Sequence, residues 1–262
     1  MNLTDIQTVS LEILNIIDEF CNNHGICYSL GYGSLIGAIR HKGCIPWDDD
    51  IDIIMSRENY NKFIHLFNDY KGYKLFAPEL YNCYHVIARV CDIRKTRVLK
   101  YYKWCDEETG VWVDIFPYDD IPFDGGEEIR KAADSCYLAC MAHAGLSPRF
   151  PLRQNLSNIK NFLLRGNMNR NKTIQYYLDT IKQSICGSSL IRNYGSPYNK
   201  KDIHSRMIFD HYLRVPFGNQ EVCVIKSYHE YLTNLYGDYM LLPPAEKQVR
   251  GHNKNKYYWI YN

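Results

Sequence analysis

Among its 262 residues the chain has no run of 18 apolar positions, no CxxC pair, no internal repeat and no low-complexity tract. Without a long apolar run, no membrane span is expected, since a spanning helix needs about 20 apolar residues. The opening "MNLTDIQTVSLEILNIIDEF" lacks a positive leader and carries acids inside its apolar pattern, so it does not read as a signal peptide. Excess charge is also missing. Thirty-one basic residues face 29 acidic ones, a net charge of +2. That leaves no footprint for nucleic acid or for an anionic membrane surface, both of which need clustered positive charge. The ten cysteines are scattered, and with no export signal they read as reduced, mostly buried thiols of a cytosolic protein. Cys136 and Cys140 stand one helical turn apart, where packing is favoured over a metal pair.

What is present is ample core material. Hydrophobic residues make up 46% and aromatics 14%, which argues against disorder. Twenty-three tyrosines outnumber the phenylalanines and tryptophans, and such rings serve sugar binding or interfaces equally well.

The apolar spacing predicts a first helix over 5–23, with Thr4 as cap and Gly25 as terminator, then a strand near 27–32. "GSLIGAIRHKG" predicts a second helix opened by Gly33-Ser34 and stopped by Gly43. After Pro46, "DIDIIM" predicts a strand, and Ser56 caps a helix beyond it. Strands are expected through 72–117, then helices over 127–143 and 152–186, a short strand "QEVCVI", and a last helix ended by Gly237.

Residues 43–55 read "GCIPWDDDIDIIM", four aspartates in five positions running into an apolar stretch. Alternation along a strand would put Asp50, Asp52 and Ile54 on one face, with Ile51, Ile53 and Met55 in the core. Two carboxylates about 6.6 Å apart repel by roughly 2.5 kcal/mol at an effective dielectric near 20. Such crowding calls for a cation, most simply Mg²⁺ or Mn²⁺. The rival reading is a solvated turn or a calcium-stabilised loop. In "GVWVDIFPYDD" a further aspartate, Asp114, lies between Trp112 and Phe116 on its strand face, so it too needs a cationic partner or a proton. Three such acids can hold one or two ions for phosphoryl transfer. Upstream, Gly33 and Ser34 sit where strand hands over to helix, a position suited to phosphate oxygens and equally to simple capping.

A GS turn, a helix, a D-x-D strand and a later acid are together similar to the nucleotidyltransferase fold. "YGSLIGAIRHKGCIPWDDDIDIIM", "VWVDIFPYDD" and "YLTNLYGDYMLLPPAEKQVRGH" resemble the LicD family, in family order from residue 32 to 252. The resemblance implies an α/β (α+β) fold, a nucleotidyltransferase-like mixed sheet flanked by helices with a helical C-terminal half. Its expected divisions are a catalytic core over 1–125 and a mainly helical region over 126–262 that packs on it. It implies a phosphotransferase that moves phosphocholine, or a polyol phosphate, from a CDP-linked donor to a sugar hydroxyl of a glycan or glycolipid acceptor. The location implied is cytoplasmic, compatible with peripheral attachment at the inner membrane face.

On that resemblance Asp50, Asp52 and Asp114 are the catalytic and metal-binding acids, with Mg²⁺ or Mn²⁺ as cofactor. Gly33, Ser34, Arg40 and Lys42 are assigned to the donor phosphates. Trp47, Asp48, Arg89 and Arg94 are assigned to nucleotide or acceptor contacts. Arg89 and Arg94 point to opposite faces of a strand unless a turn intervenes, and His41 fits a helix-end role. Tyr236, Asp238, Tyr239 and His252 are placed at the border of the site, with Glu246, Lys247 and Arg250 nearby. Two alternatives stand beside this reading: a nucleotidyltransferase that uses NTP on a small molecule, and a non-enzymatic nucleotide binder.

Overall fold

The structure, a computed structural model, describes all residues except 101, 186, 251–254, 261 and 262. His252 and Cys186 therefore lie outside the described residues. The first helix, α1 (Leu3–His24), begins two residues earlier than its apolar stripe suggests. Asn2 and Asp5 satisfy each other's backbone N–H groups in a capping box, which displaces Thr4 from the cap. Gly25 closes the helix in the left-handed conformation, φ 59°.

Strand β1 (Ser29–Leu30) leads into a short helix α2 (Tyr32–Ile36), which widens into a π-helical turn over Gly37–His41. Then come β2 (Asp52–Ser56), α3 (Arg57–Phe67), β3 (Tyr73–Phe76), β4 (Ala88–Asp92), β5 (Thr96–Leu99) and the long β6 (Trp112–Asp120). Helices α4 (Glu127–Ala142), α5 (Leu152–Arg165) and α6 (Arg170–Gln183) follow. The expected single helix over 152–186 breaks at Gly166, and Asn169 recaps the chain by accepting from Lys172 N. Beyond lie β7 (Leu190–Arg192), β8 (Ile203–Ser205), β9 (Tyr212–Phe217), β10 (Gln220–Ile225), α7 (Tyr228–Tyr236) and β11 (Lys256–Trp259). The later half thus holds α4–α7 and, among the described residues, five strands.

The main sheet is mixed, with strand order β1-β2-β6-β4-β3, and β7 and β8 continue from the far end of β6. Among the described strands only β2 and β6 run parallel, and their register sets Asp52 beside Asp114. On the other side of β6, antiparallel β4 sets Arg89 beside Asp114. The strand begins at Asp52 and does not include Asp50, though Ile51 between them is buried while both aspartates stay partly exposed, as alternation expects. Ile54 is not on an open face, since Ile53, Ile54 and Met55 are all buried. Ile54 fits under Gly31, where a Cβ would come within 2.5 Å of it.

One apolar core joins both halves of the chain, packing Ile13, Ile17 and Phe63 with Phe217, Val224 and Leu232. A second cluster binds α4 to α6 through Ile129, Cys136, Tyr177 and Ile181. Cys136 and Cys140 lie in separate clusters, the outcome that packing predicts.

Arg57 ties α3 to the sheet. Its Nε and Nη2 donate to the two carboxylate oxygens of Asp119 at 2.5 and 2.9 Å, and Nη1 donates to Glu79 at 2.9 Å. Removing one side of such a shielded pair leaves uncompensated charge, so Arg57→Leu should cost about 3 kcal/mol in a urea melt. Because Arg57 does not line the central cavity, ligand affinity of the folded fraction should be unchanged.

Candidate active site

The turn between β1 and α2 is stitched to the start of β2. Gly31 N donates to Asp52 O at 2.9 Å, and Asp52 N donates to Ser34 Oγ at 2.9 Å. Ser34 is therefore buried and sets the backbone of Asp52; it is not among the residues that line the cavity. Gly33 does line it, and the reason for glycine is a neighbour: a Cβ there would lie 2.7 Å from Asp48 Oδ2. The acidic loop is held from two sides. Gln7 of α1 donates to the carbonyls of Ile45 and Asp48 at 3.1 and 2.7 Å. Arg250 from the tail pairs with the buried carboxylate of Asp49.

Carboxylate oxygens of Asp48, Asp49 and Asp50 lie within 4.8 Å of one another. Asp48, Asp50, Asp52 and Asp114 all line a cavity of about 800 Å³. Asp114 has the cationic partner its surroundings call for: Arg89 Nε donates to its Oδ1 at 2.5 Å. Arg89 is itself buried, 4.4 Å from the Trp104 ring and 5.2 Å from Trp112, and Nη2 donates to Tyr102 OH at 3.2 Å. Its Nη1 has no hydrogen bond among the described residues, and the residue lines the cavity.

Of the residues assigned from sequence, Gly33, Arg40, Trp47, Asp48, Asp50, Asp52, Arg89 and Asp114 meet at this cavity. Lys42 does not, because it terminates the π-helical turn in the left-handed conformation and is solvent-exposed. Arg94 follows β4 and stacks 4.4 Å over Tyr73, away from the cavity. Arg40 donates to the carbonyls of Tyr239 and Leu241 at 2.6 and 3.0 Å, which pins the tail segment over the site. Burial lowers the pKa of Arg40, and burial together with Arg40's charge lowers that of His41. Tyr236, Asp238 and Tyr239 border the cavity, while Glu246 and Lys247 sit on an exposed turn.

Sequence reasoning passed over Tyr198, in a stretch that reads as polar loop, and His85, which no motif marks. Both line the cavity. Tyr198 stacks on Tyr32 with centroids 5.8 Å apart, and Tyr236 meets Tyr198 edge-on at 5.2 Å. Tyr32 holds a left-handed φ of 47°, costing about 1–2 kcal/mol for a non-glycine residue. Its hydroxyl donates to the buried Asp202 at 2.7 Å and accepts from Asn193 at 2.9 Å. Tyr118 also donates to Asp202, and His204 lies 3.2 Å from the same carboxylate. Burial, then the charge of Asp202, pushes the Tyr32 and Tyr118 phenols well above the ordinary tyrosine range.

The chain can now be set beside known proteins. The family described as LicD/FKTN/FKRP, nucleotidyltransferase domain, matches residues 25–133. The lipopolysaccharide cholinephosphotransferase LicD of Haemophilus influenzae is 30% identical over 266 aligned positions, 98% of each chain. An uncharacterized protein of Rickettsia typhi is 27% identical over 110 positions, 41% of this chain and 33% of that protein.

Two outcomes follow from the geometry. Ser34→Ala removes the acceptor for Asp52 N, so stability should fall by about 1 kcal/mol in denaturant melts and turnover by about tenfold. His85 is pushed down to about 3 by burial and then by the Arg89 charge. It stays neutral when folded and binds a proton when unfolded, so its contribution is complete above pH 6.5 and is lost on acidification. Between pH 7 and roughly pH 4.5 this amounts to about 2 kcal/mol, and His85→Gln should flatten that part of the stability profile.

Proposed function

The chain belongs to the LicD family of transferases, and we propose that it moves phosphocholine from CDP-choline to a sugar hydroxyl of a lipopolysaccharide-type glycan, with a divalent cation. The observation that carries this reading is a cavity with carboxylates and tyrosine ring faces together. The tyrosine hydroxyls are already engaged. Tyr32 OH bonds Asp202, Tyr198 OH donates to Tyr236 OH at 2.9 Å, and Tyr239 OH meets His229 Nδ1 at 3.0 Å. Burial, with a contribution from the charge of Asp52, raises the Tyr198 and Tyr236 phenols, so both rings are neutral. Neutral ring faces beside carboxylates suit a trimethylammonium group, whereas ribitol or glycerol would need the hydroxyls that are spoken for.

The donor set facing the diphosphate is all carboxylate oxygen, which fits a hard ion such as Mg²⁺ or Mn²⁺. Asp48, Asp50 and Asp52 would hold it, and bound there it would neutralise charge on the donor phosphates. Arg89, buried and bonded to Asp114, would hold that carboxylate in place beside the donor. Trp47 offers a face to the cytosine. In the transfer, the sugar oxygen bonds the choline-bearing phosphorus while the bond from that phosphorus to the bridging oxygen breaks. CMP leaves with the electron pair. Asp114, oriented by Arg89, takes the hydroxyl proton. A nucleotide-linked donor places this work in the cytoplasm, at the inner face of the membrane.

The test is a panel of CDP-choline, CDP-ethanolamine, CDP-ribitol, CDP-glycerol and NTPs with a glycan acceptor. CMP release should need CDP-choline, stop with EDTA and return with Mg²⁺ or Mn²⁺. Asp50→Asn and Asp52→Asn should each lower turnover about 100-fold or more. Tyr198→Leu should raise KM for CDP-choline about tenfold, with less effect on CDP-ethanolamine. Release of pyrophosphate from an NTP, or a preference for a polyol donor, would refute the proposal.

A further inference from the structure

Helix α5 is inside out. Its one buried residue is Asn158, whose Nδ2 donates to Gly145 O at 2.7 Å and whose Oδ1 accepts from Gln154 at 2.7 Å. Gln154, Asn155, Ser157 and Asn161 are only partly exposed, so the face turned to the protein is polar. The large apolar side chains face solvent: Leu152 is 74% exposed, Leu156 57%, Phe162 58% and Leu163 77%. At about 100° per residue, Leu152, Leu156, Ile159 and Leu163 fall in one stripe. Arg153 and Lys160, both exposed, border that stripe on one side.

The charge around it has one sign. From residue 135 to 178 there is no aspartate or glutamate, while Arg149, Arg153, Lys160, Arg165, Arg170 and Lys172 occur. Arg170 is committed to Asp106 at 2.9 Å. The near-zero net charge of the chain conceals this local excess, and the sequence-wide balance is the wrong scale on which to exclude an anionic surface.

We propose that α5 is a lipid-surface anchor that lies in the headgroup plane of an anionic bilayer, with its leucine stripe in the acyl boundary and its cations against the headgroups. An exposed apolar stripe with basic flanks has the chemistry that such a surface takes up. A second copy of the chain is a poorer occupant, because packing stripe on stripe would bring like charges together with no acid on the helix to meet them. The anchor stands independently of the donor and alcohol assigned above.

Sedimentation with phosphatidylcholine vesicles, with and without phosphatidylglycerol, tests this directly. The parent protein should bind the anionic vesicles, lose affinity as salt is raised, and bind neutral vesicles weakly. Leu156→Asp with Leu163→Asp, and separately Arg153→Glu with Lys160→Glu, should each lower partitioning about tenfold or more. All four side chains are exposed, so the melting temperature and turnover of a soluble acceptor should stay at parental values. Parent protein that ignores anionic vesicles, or variants that bind as well as the parent, would overturn the proposal. So would a concentration-dependent dimer in the parent that Leu163→Asp abolishes.

Discussion

Asp52 and Asp114 lie side by side on parallel strands, at a spacing where two carboxylates repel by about 3 kcal/mol at an effective dielectric near 20. Arg89 is the reason this register is tolerable, because β4 brings its guanidinium to Asp114 from the other side of β6. The guanidinium is held between two tryptophan rings and a tyrosine hydroxyl, so it has little freedom to leave. On the β2 side the constraint is backbone. Gly31 and Ser34 bond the C=O and N–H of Asp52, so the position of that acid does not depend on its own side-chain contacts. Everything else at the cavity is arranged around this fixed pair.

A second buried network carries the opposite wall. Asp202 accepts from Tyr32 and Tyr118, and Tyr32 spends its left-handed φ on turning between Gly31 and Gly33. A strained residue persists when its surroundings over-determine it, and here the determinants are a buried carboxylate and Asn193. The same turn that lets Gly33 approach Asp48 is therefore secured some 170 positions later in the chain, from the 3₁₀ turn Asn199–Asp202. The strand-rich core and the residues beyond α6 cooperate at one site through this link.

Much of that was legible in the sequence where a rule of local chemistry applied. The crowded aspartates, the GS turn and the acid between aromatics each signal a cost that demands a partner, and each reaches the cavity or its frame. The Gly25 terminator and the Ser56 cap are likewise local. What was hidden depended on pairing across long distances. Ser34 reads as a phosphate ligand until β2 is seen to donate to it. β9 and its partner β10 meet around Gly218, φ 66°, though "YLRVPF" alternates too weakly to announce a strand beside an exposed Arg214. Tyr198 is anonymous among 23 tyrosines until stacking on Tyr32 singles it out.

The placement of positive charge gives the same lesson in another form. Arg40 and Arg89 line the cavity and Arg250 pairs with the acidic loop, and each is bonded to protein: to tail carbonyls, to Asp114 and to Asp49. They act first to shape the cavity, since Arg40 and Arg250 fasten the tail across the acidic loop from opposite ends of residues 239–250. An arginine that already has a carboxylate or carbonyl partner offers a ligand only its remaining N–H groups. Phosphate recognition by bulk positive charge is thus not the design here. Among the described residues five carboxylates and two arginines line the cavity, so the anionic donor proposed above would approach them in company with a cation.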